Sequence, residues 1–131
     1  MDEALIHQHI LVVEDDEGIA RLLKRYLESV GFAVHNSLTG TTALRYAAEH
    51  KPDLVILDLR LPDVHGYEVC KELRRLYESW AVPIMMLTSL DAPTDRLRGF
   101  AYGADAYVTK PFEPPELLST ISLLLGKTEP N

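Results

Sequence analysis

Short apolar runs alternate with segments of helical periodicity along the whole chain. The runs are HILVV, FAVHN, DLVIL, VPIMMLTS and DAYVTKP, and they predict strands at 9–13, 32–36, 53–57, 82–89 and 105–111. The segments that follow them place apolar residues three and four positions apart, which predicts helices at 17–30, 39–51, 66–79, 94–104 and 114–125, the last with Gly126 just after its end. The chain is therefore expected to form successive strand–helix units.

This alternation predicts an α/β fold. Strands separated by helices of this length are typical of a parallel sheet that is covered by helices on both faces, with right-handed crossovers. We therefore expect a (βα)5 doubly wound, five-stranded parallel sheet. In an open sheet of this kind, the site lies beyond the carboxyl ends of the strands, where the strand order reverses. The residues that follow each strand are the candidates for function.

The chain has the size and composition of one soluble domain. Its 131 residues are 47% hydrophobic and 25% charged, and no apolar run approaches the roughly 20 residues that span a membrane. The amino terminus lacks the basic flank and the cleavage site of a secretory signal. We expect a single domain over residues 1–131, with a core at about 8–126 and no output domain, located in the cytoplasm.

Charge and cysteine content argue against two kinds of chemistry. Twenty acidic and 13 basic residues give a net charge of −7, which argues against direct nucleic-acid binding by these residues. Cys70 is the single cysteine, so no internal disulfide can form, and its place in an apolar helical pattern favours a buried structural role. The candidate chemistry is therefore sought at the strand ends.

Polar side chains follow four of the predicted strands. Glu14 and Asp15 follow the first strand, and Asp58 follows the third. Three carboxylates at one edge of a sheet repel one another unless a cation neutralises them, and hard oxygen ligands suit Mg²⁺. Thr88 ends the fourth strand and Lys110 the fifth, and both side chains can donate to phosphoryl oxygens. The set predicts a divalent metal and a phosphoryl group as ligands.

Four motifs, ILVVEDD, PDLVILDLRLPDVHG, PIMMLTS and GADAYVTKPF, resemble those of the receiver domains of bacterial two-component response regulators. They occur in the family's order and spacing over nearly the whole chain. The resemblance implies the flavodoxin-like strand order 2-1-3-4-5 and a phosphoryl group received from a sensor histidine kinase or phosphotransfer protein, with Mg²⁺ as cofactor. Such a domain is a regulatory phosphoacceptor that assists its own phosphorylation and dephosphorylation, and it is not counted as an enzyme.

The resemblance implies a role for each residue at the strand ends. Asp58 would be the phosphoacceptor. Glu14 and Asp15 would be the acidic pair that, with Asp58, surrounds the metal. Thr88 and Lys110 would contact the phosphoryl group. These roles are carried over position by position, and the set is complete in this chain.

Further positions acquire roles through the same resemblance. The backbone carbonyl of Arg60 would be a metal ligand, and Glu14 would act through water. Tyr107 would be the aromatic switch, rotating inward when Thr88 moves towards the phosphoryl group. Pro111 is similar to the family's cis-proline after the lysine.

Two departures from the family affect dimerisation and phosphate lifetime. Many DNA-binding relatives have GADDY, but here Ala106 replaces the second acid, and the last helix contains no arginine. A charged homodimer contact through helix 4, strand 5 and helix 5 is therefore not expected, whereas a hydrophobic contact or none stays open. Leu90, two residues beyond the threonine, offers no group to orient attacking water, so we expect a long-lived aspartyl phosphate.

Other interpretations compete with the receiver. A haloacid dehalogenase-type phosphohydrolase needs an acid two residues after the acceptor, but this chain has Arg60 there. A dinucleotide-binding module needs a glycine-rich turn after the first strand, but this chain has EDDEG there. A receiver-like module that binds partners without phosphorylation would typically lack part of the set. Asp16 and Glu17 are expected to favour the start of the first helix rather than to bind metal. A single-domain receiver and the receiver of a longer regulator share these motifs.

Overall fold

The computed structural model describes residues 8–76 and 82–128. Within them, the strands are β1 (His9–Val13), β2 (Ala33–Ser37), β3 (Leu54–Leu57), β4 (Ile84–Thr88) and β5 (Ala106–Thr109). The helices are α1 (Glu17–Ser29), α2 (Gly40–His50), α3 (Gly66–Leu76), α4 (Pro93–Ala101) and α5 (Pro114–Thr128). Strands and helices alternate from β1 to α5, as the sequence pattern predicted.

The strands form one parallel sheet in the order β2-β1-β3-β4-β5. The chain runs outward from β1 to β2 and then returns to β3 on the other side of β1, so the strand order reverses between β1 and β3. The Asp58 N–H donates to the Val13 carbonyl at 3.0 Å, which continues the contact just past the end of β3. The predicted fold and strand order are confirmed, and the residues that follow β1 and β3 lie side by side.

Two apolar layers pack against the sheet. In β3, Val55 and Leu57 belong to the layer that includes α2 and α3, while Leu54 and Ile56 belong to the layer that includes α1 and α5. Alternate residues of a strand point to opposite faces, so both faces of β3 are buried. This is why the strand is continuously apolar rather than alternating in polarity.

The ends of α4, β5 and α5 differ from the sequence prediction. Helix α5 continues through Gly126 to Thr128 rather than ending just before the glycine. Helix α4 ends at Ala101 rather than at residue 104, because Gly103 adopts a left-handed conformation with φ of 111° shortly after it. Strand β5 ends at Thr109 rather than at residue 111, where Pro111 has no N–H to donate to the sheet. The predicted end of the third helix, residues 77–79, lies outside the described residues.

None of the helices in the described ranges is long and apolar enough to cross a membrane.

Candidate functional site

Three carboxylates converge beyond the carboxyl ends of β1 and β3. Glu14 and Asp15 follow β1 and Asp58 follows β3, and each offers one oxygen such that all three lie within 4.8 Å of one another. Glu14 and Asp58 are buried, whereas Asp15 is exposed. The parallel register of β1 and β3 produces this arrangement, because neighbouring parallel strands end at the same edge.

Lys110 reaches this cluster from the end of β5. Its Nζ donates to Glu14 Oε1 and, at 3.1 Å, to Asp58 Oδ2. Burial alone would lower the pKa of Lys110, but the two carboxylates outweigh that effect and the pKa is raised, so the ammonium group stays charged at neutral pH. Burial raises the pKa of Glu14, and the hydrogen bond from Lys110 opposes this shift. One ammonium group against three carboxylates leaves an excess of negative charge that a divalent cation could neutralise.

The turn after β3 holds Asp58 in a fixed position. Asp58 Oδ1 accepts a hydrogen bond from the Arg60 N–H at 3.2 Å. The Gly66 N–H donates to the Leu59 carbonyl at 2.9 Å, which brings the start of α3 back against the turn. A Cβ atom at Gly66 would lie 2.5 Å from Leu59 Cα and 2.7 Å from the Asp58 carbonyl oxygen. Only glycine allows the chain to approach itself so closely here.

Thr88 lies buried at the end of β4, beside the segment that carries the lysine. Its carbonyl accepts a hydrogen bond from the Lys110 N–H at 2.9 Å, and its hydroxyl oxygen accepts one from the Leu90 N–H at 3.4 Å. The Lys110–Pro111 peptide bond is cis. The threonine and the lysine are therefore connected through the backbone, independently of the carboxylates.

Tyr107 already occupies an inward position in this structure. Its side chain is buried, and its hydroxyl donates to the Leu90 carbonyl at 2.6 Å. Burial raises the pKa of Tyr107 to about 12, so the hydroxyl remains a donor at neutral pH. The ring is therefore in the inward of the two positions that the resemblance implies, and its rotation in response to phosphorylation stays a prediction.

Two acidic residues next to the site accept hydrogen bonds from backbone N–H groups. Asp16 is the N-cap of α1 and accepts from the Gly18 and Ile19 N–H groups at 2.9 and 3.1 Å, which agrees with the expected capping role. Asp63, which sequence reasoning missed, accepts from the Gly40 and Thr41 N–H groups, each at 2.9 Å. It thereby ties the loop after Asp58 to the start of α2. An aspartate after a proline signals a turn, but its partners lie more than 20 positions away and have no local sequence signal.

The family model for the response regulator receiver domain matches residues 10–122. The phosphate regulon transcriptional regulatory protein PhoB of Rhizobium meliloti is 45% identical over 121 residues, which are 92% of this chain and 53% of that protein. The DNA-binding dual master transcriptional regulator RpaA of Synechocystis is 40% identical over 92% of this chain and 50% of its own length. The chain thus spans about half the length of these curated relatives.

A solved structure is similar over nearly its whole length. The BeF3-activated N-terminal receiver domain of RstA from Klebsiella pneumoniae is 36% identical, with a TM-score of 0.84, and the match covers 90% of this chain and 98% of that one. The similarity therefore extends to the fold that carries the site.

The close approach at Gly66 can be tested by substitution. Gly66→Ala should lower the free energy of unfolding by about 1–3 kcal/mol, because the added methyl group meets backbone atoms that cannot move aside easily. Chemical denaturation measures this change. Gly126→Ala in α5 is the matched control: nothing lies within 4 Å of its Cβ position, so its stability should stay the same or rise. Equal stability of the two variants would contradict the tight packing at Gly66.

Proposed function

The chain belongs to the response regulator receiver domain family, and we propose that it accepts a phosphoryl group on Asp58 from a sensor histidine kinase or phosphotransfer protein. The observation that carries the proposal is the contact of Lys110 with Glu14 and Asp58, next to Asp15, where the strand order reverses. We propose that residues 1–131 act as one receiver domain, with a regulatory role rather than turnover of a separate substrate.

The geometry suits attack by a carboxylate on phosphorus. An oxygen of Asp58 would form the new P–O bond while the P–N bond of a phosphohistidine breaks, and its electron pair leaves with the imidazole. The Lys110 ammonium group lies 3.1 Å from Asp58 Oδ2, where it would stabilise the negative charge on the transferred oxygens. The Thr88 hydroxyl would donate to the same group. Hydrolysis of the acyl phosphate would later restore the carboxylate.

The acidic cluster fits a divalent cation. Glu14, Asp15 and Asp58 place carboxylate oxygens within 4.8 Å of one another, and Lys110 neutralises only part of their charge. We propose that Asp15, Asp58 and the Arg60 carbonyl hold Mg²⁺, with Glu14 acting through water. When bound, Mg²⁺ would neutralise the charge of the phosphoryl oxygens beside the carboxylates.

An apolar depression beside Lys110 is the proposed contact for the phosphodonor. It has a volume of about 330 Å³ and is lined by Ile19 and Leu22 of α1 and by Pro111 and Phe112 after β5. Leu22 is 62% exposed and so leaves an apolar group free for a partner at this depression. A kinase that docks here would bring its phosphohistidine close to Asp58.

The response would be a shift between two arrangements of α4 and its neighbours. Tyr107 is held inward by its bond to Leu90, and we propose that the phosphoryl group, through Thr88, stabilises this arrangement relative to one in which the ring points outward. Any effect on DNA would pass through another domain or protein, as suggested by the DNA-binding relative that is about twice as long as this chain.

Acetyl phosphate gives the decisive test of the phosphoacceptor. The chain should gain the mass of one phosphoryl group in Mg²⁺ and not in EDTA, and Asp58→Asn should gain none, because an amide oxygen is a poor nucleophile. Asp16→Asn is the matched control, since Asp16 caps α1 and should leave phosphorylation intact. A folded native chain that gains no mass would favour a module that binds partners without phosphorylation.

The lifetime of the phosphoryl group tests the role of Leu90. In Mg²⁺, the phosphorylated chain should decay over minutes or longer, because Leu90 offers no polar group to orient water. Leu90→Gln should decay several-fold faster. Loss of the phosphoryl group within seconds in the native chain would contradict this expectation; intact mass against time measures both.

A homodimer through α4, β5 and α5 would be held by apolar contacts. Asp105 pairs with Arg74 of the same chain at 2.7 Å, whereas Leu97 of α4 and Leu123 of α5 are exposed. Sedimentation after phosphorylation should give a dimer that is insensitive to salt and weakened at least several-fold by Leu97→Ser. Leu22→Ser changes a leucine of α1 that is 62% exposed, against 70% for Leu97, and is the control that should not change association. A phosphorylated chain that stays monomeric would contradict the dimer.

A further inference from the structure

Helix α4 has little apolar anchorage to the rest of the molecule. Of its nine residues, all of which the structure describes, Gly99 is the one that is buried. Leu97 is 70% exposed and Phe100 is 49% exposed, so the large apolar side chains of α4 contribute little burial. A helix is usually held by an apolar stripe that faces the core. Other contacts must therefore fix the position of α4.

Two tyrosine hydroxyls donate to backbone carbonyls just before α4 and in its first turn. Tyr107 of β5 donates to the Leu90 carbonyl at 2.6 Å, and Tyr67 of α3 donates to the Asp95 carbonyl at 3.0 Å. Both side chains are buried and belong to the same apolar layer. The two bonds hold points five residues apart, one before α4 and one in its first turn.

Side chains of α4 close over both rings. The Arg96 guanidinium lies 5.1 Å from the centre of the Tyr107 ring, and the Arg98 guanidinium lies 5.8 Å from the centre of the Tyr67 ring. A Cβ atom at Gly99 would lie 3.0 and 3.1 Å from two carbons of the Tyr107 ring. The glycine thus leaves the space in which this ring sits against α4.

Tyr67 also connects α4 to the acceptor turn. It follows Gly66, whose backbone packs against Leu59 and the carbonyl of Asp58 and whose N–H donates to Leu59. A movement of the turn that carries Asp58 would therefore displace Tyr67. Tyr107 has no such link to the acceptor turn along the chain, so the two tyrosines connect α4 to different parts of the site.

We propose that Tyr67 is a positioning residue for α4, and that Tyr67 and Tyr107 together form a two-tyrosine latch that holds α4 in the arrangement seen here. The connection of the latch to phosphorylation rests on the proposed function of Asp58. A ligand at Asp58 shifts α4 only as far as it favours one arrangement over the other, and the effect is reciprocal. Since the proposed function has the phosphoryl group stabilise the latched arrangement, loosening the latch should weaken binding at Asp58.

Removing each hydroxyl while keeping the ring tests the hydrogen bonds of the latch separately from the packing of the rings in the core. Tyr67→Phe and Tyr107→Phe should each increase amide exchange of residues 94–101 in the unphosphorylated chain by about tenfold, the effect of losing one net hydrogen bond. The double variant should depart from additivity, because both hydroxyls hold the same segment. Exchange in β1 and β3 should not change.

Tyr26→Phe is the matched control. The Tyr26 hydroxyl also donates to a backbone carbonyl, that of Pro114, at 3.2 Å, but it joins α1 to the start of α5. This variant should leave the exchange of α4 at the native rate. If Tyr67→Phe also leaves α4 at the native rate, the proposal is wrong.

Beryllofluoride, which mimics a phosphoryl group, tests the link to the acceptor. With Mg²⁺ present, Tyr67→Phe should bind beryllofluoride at least fivefold more weakly than the native chain, and Tyr26→Phe should bind it equally well. Equal affinity of Tyr67→Phe and the native chain would overturn the link. If the native chain does not bind beryllofluoride at all, the proposed function of Asp58 fails, and the exchange of the unliganded variants still decides whether the latch positions α4.

Discussion

The contact of one ammonium group with two buried carboxylates is the constraint on which the rest of the site depends. Lys110 meets Glu14 and Asp58 only because β1, β3 and β5 all end at the same edge of the sheet. Without the lysine, two buried carboxylates would face each other with no counter-charge, which is costly in a medium of low polarity. The negative charge that remains uncompensated suits the site to a divalent cation, which together with Lys110 would offset the charge of a phosphoryl group.

Much of the fold could be predicted from the sequence because the central strands β1, β3 and β4 are apolar on both faces. A run such as LVIL (54–57) cannot be an edge strand exposed on one side, and its alternation with helices leaves a parallel sheet as the simplest solution. The convergence of Glu14, Asp15, Asp58 and Lys110 follows from that topology alone. No residue of the four would have been decisive by itself, since an acid at a strand end is commonly only a cap.

The adjacent acids Asp15 and Asp16 show where local sequence rules succeed. Asp16 caps α1 with two backbone hydrogen bonds, and Asp15 lies in the carboxylate cluster.

Contacts that depend on the packing of whole helices could not be predicted from the sequence. The bonds of Tyr67 to Asp95 and of Asp63 to Gly40 join residues 28 and 23 positions apart, and no local pattern signals them. The inward position of Tyr107 is of the same kind, because it needs the gap at Gly99.

The site and the helix that would report on it are stabilised by different forces. The carboxylates and Lys110 are fixed by sheet hydrogen bonds and by a core that is buried on both sides, so little movement is available to them. Helix α4 buries one glycine, and its other contacts include a tyrosine hydroxyl bond in its first turn, another just before it, and cation–π contacts from Arg96 and Arg98. Segments with few apolar contacts are those that change position at low cost in free energy. A small change at the rigid site can therefore alter α4 and its exposed Leu97 and Phe100 while the sheet stays as it is.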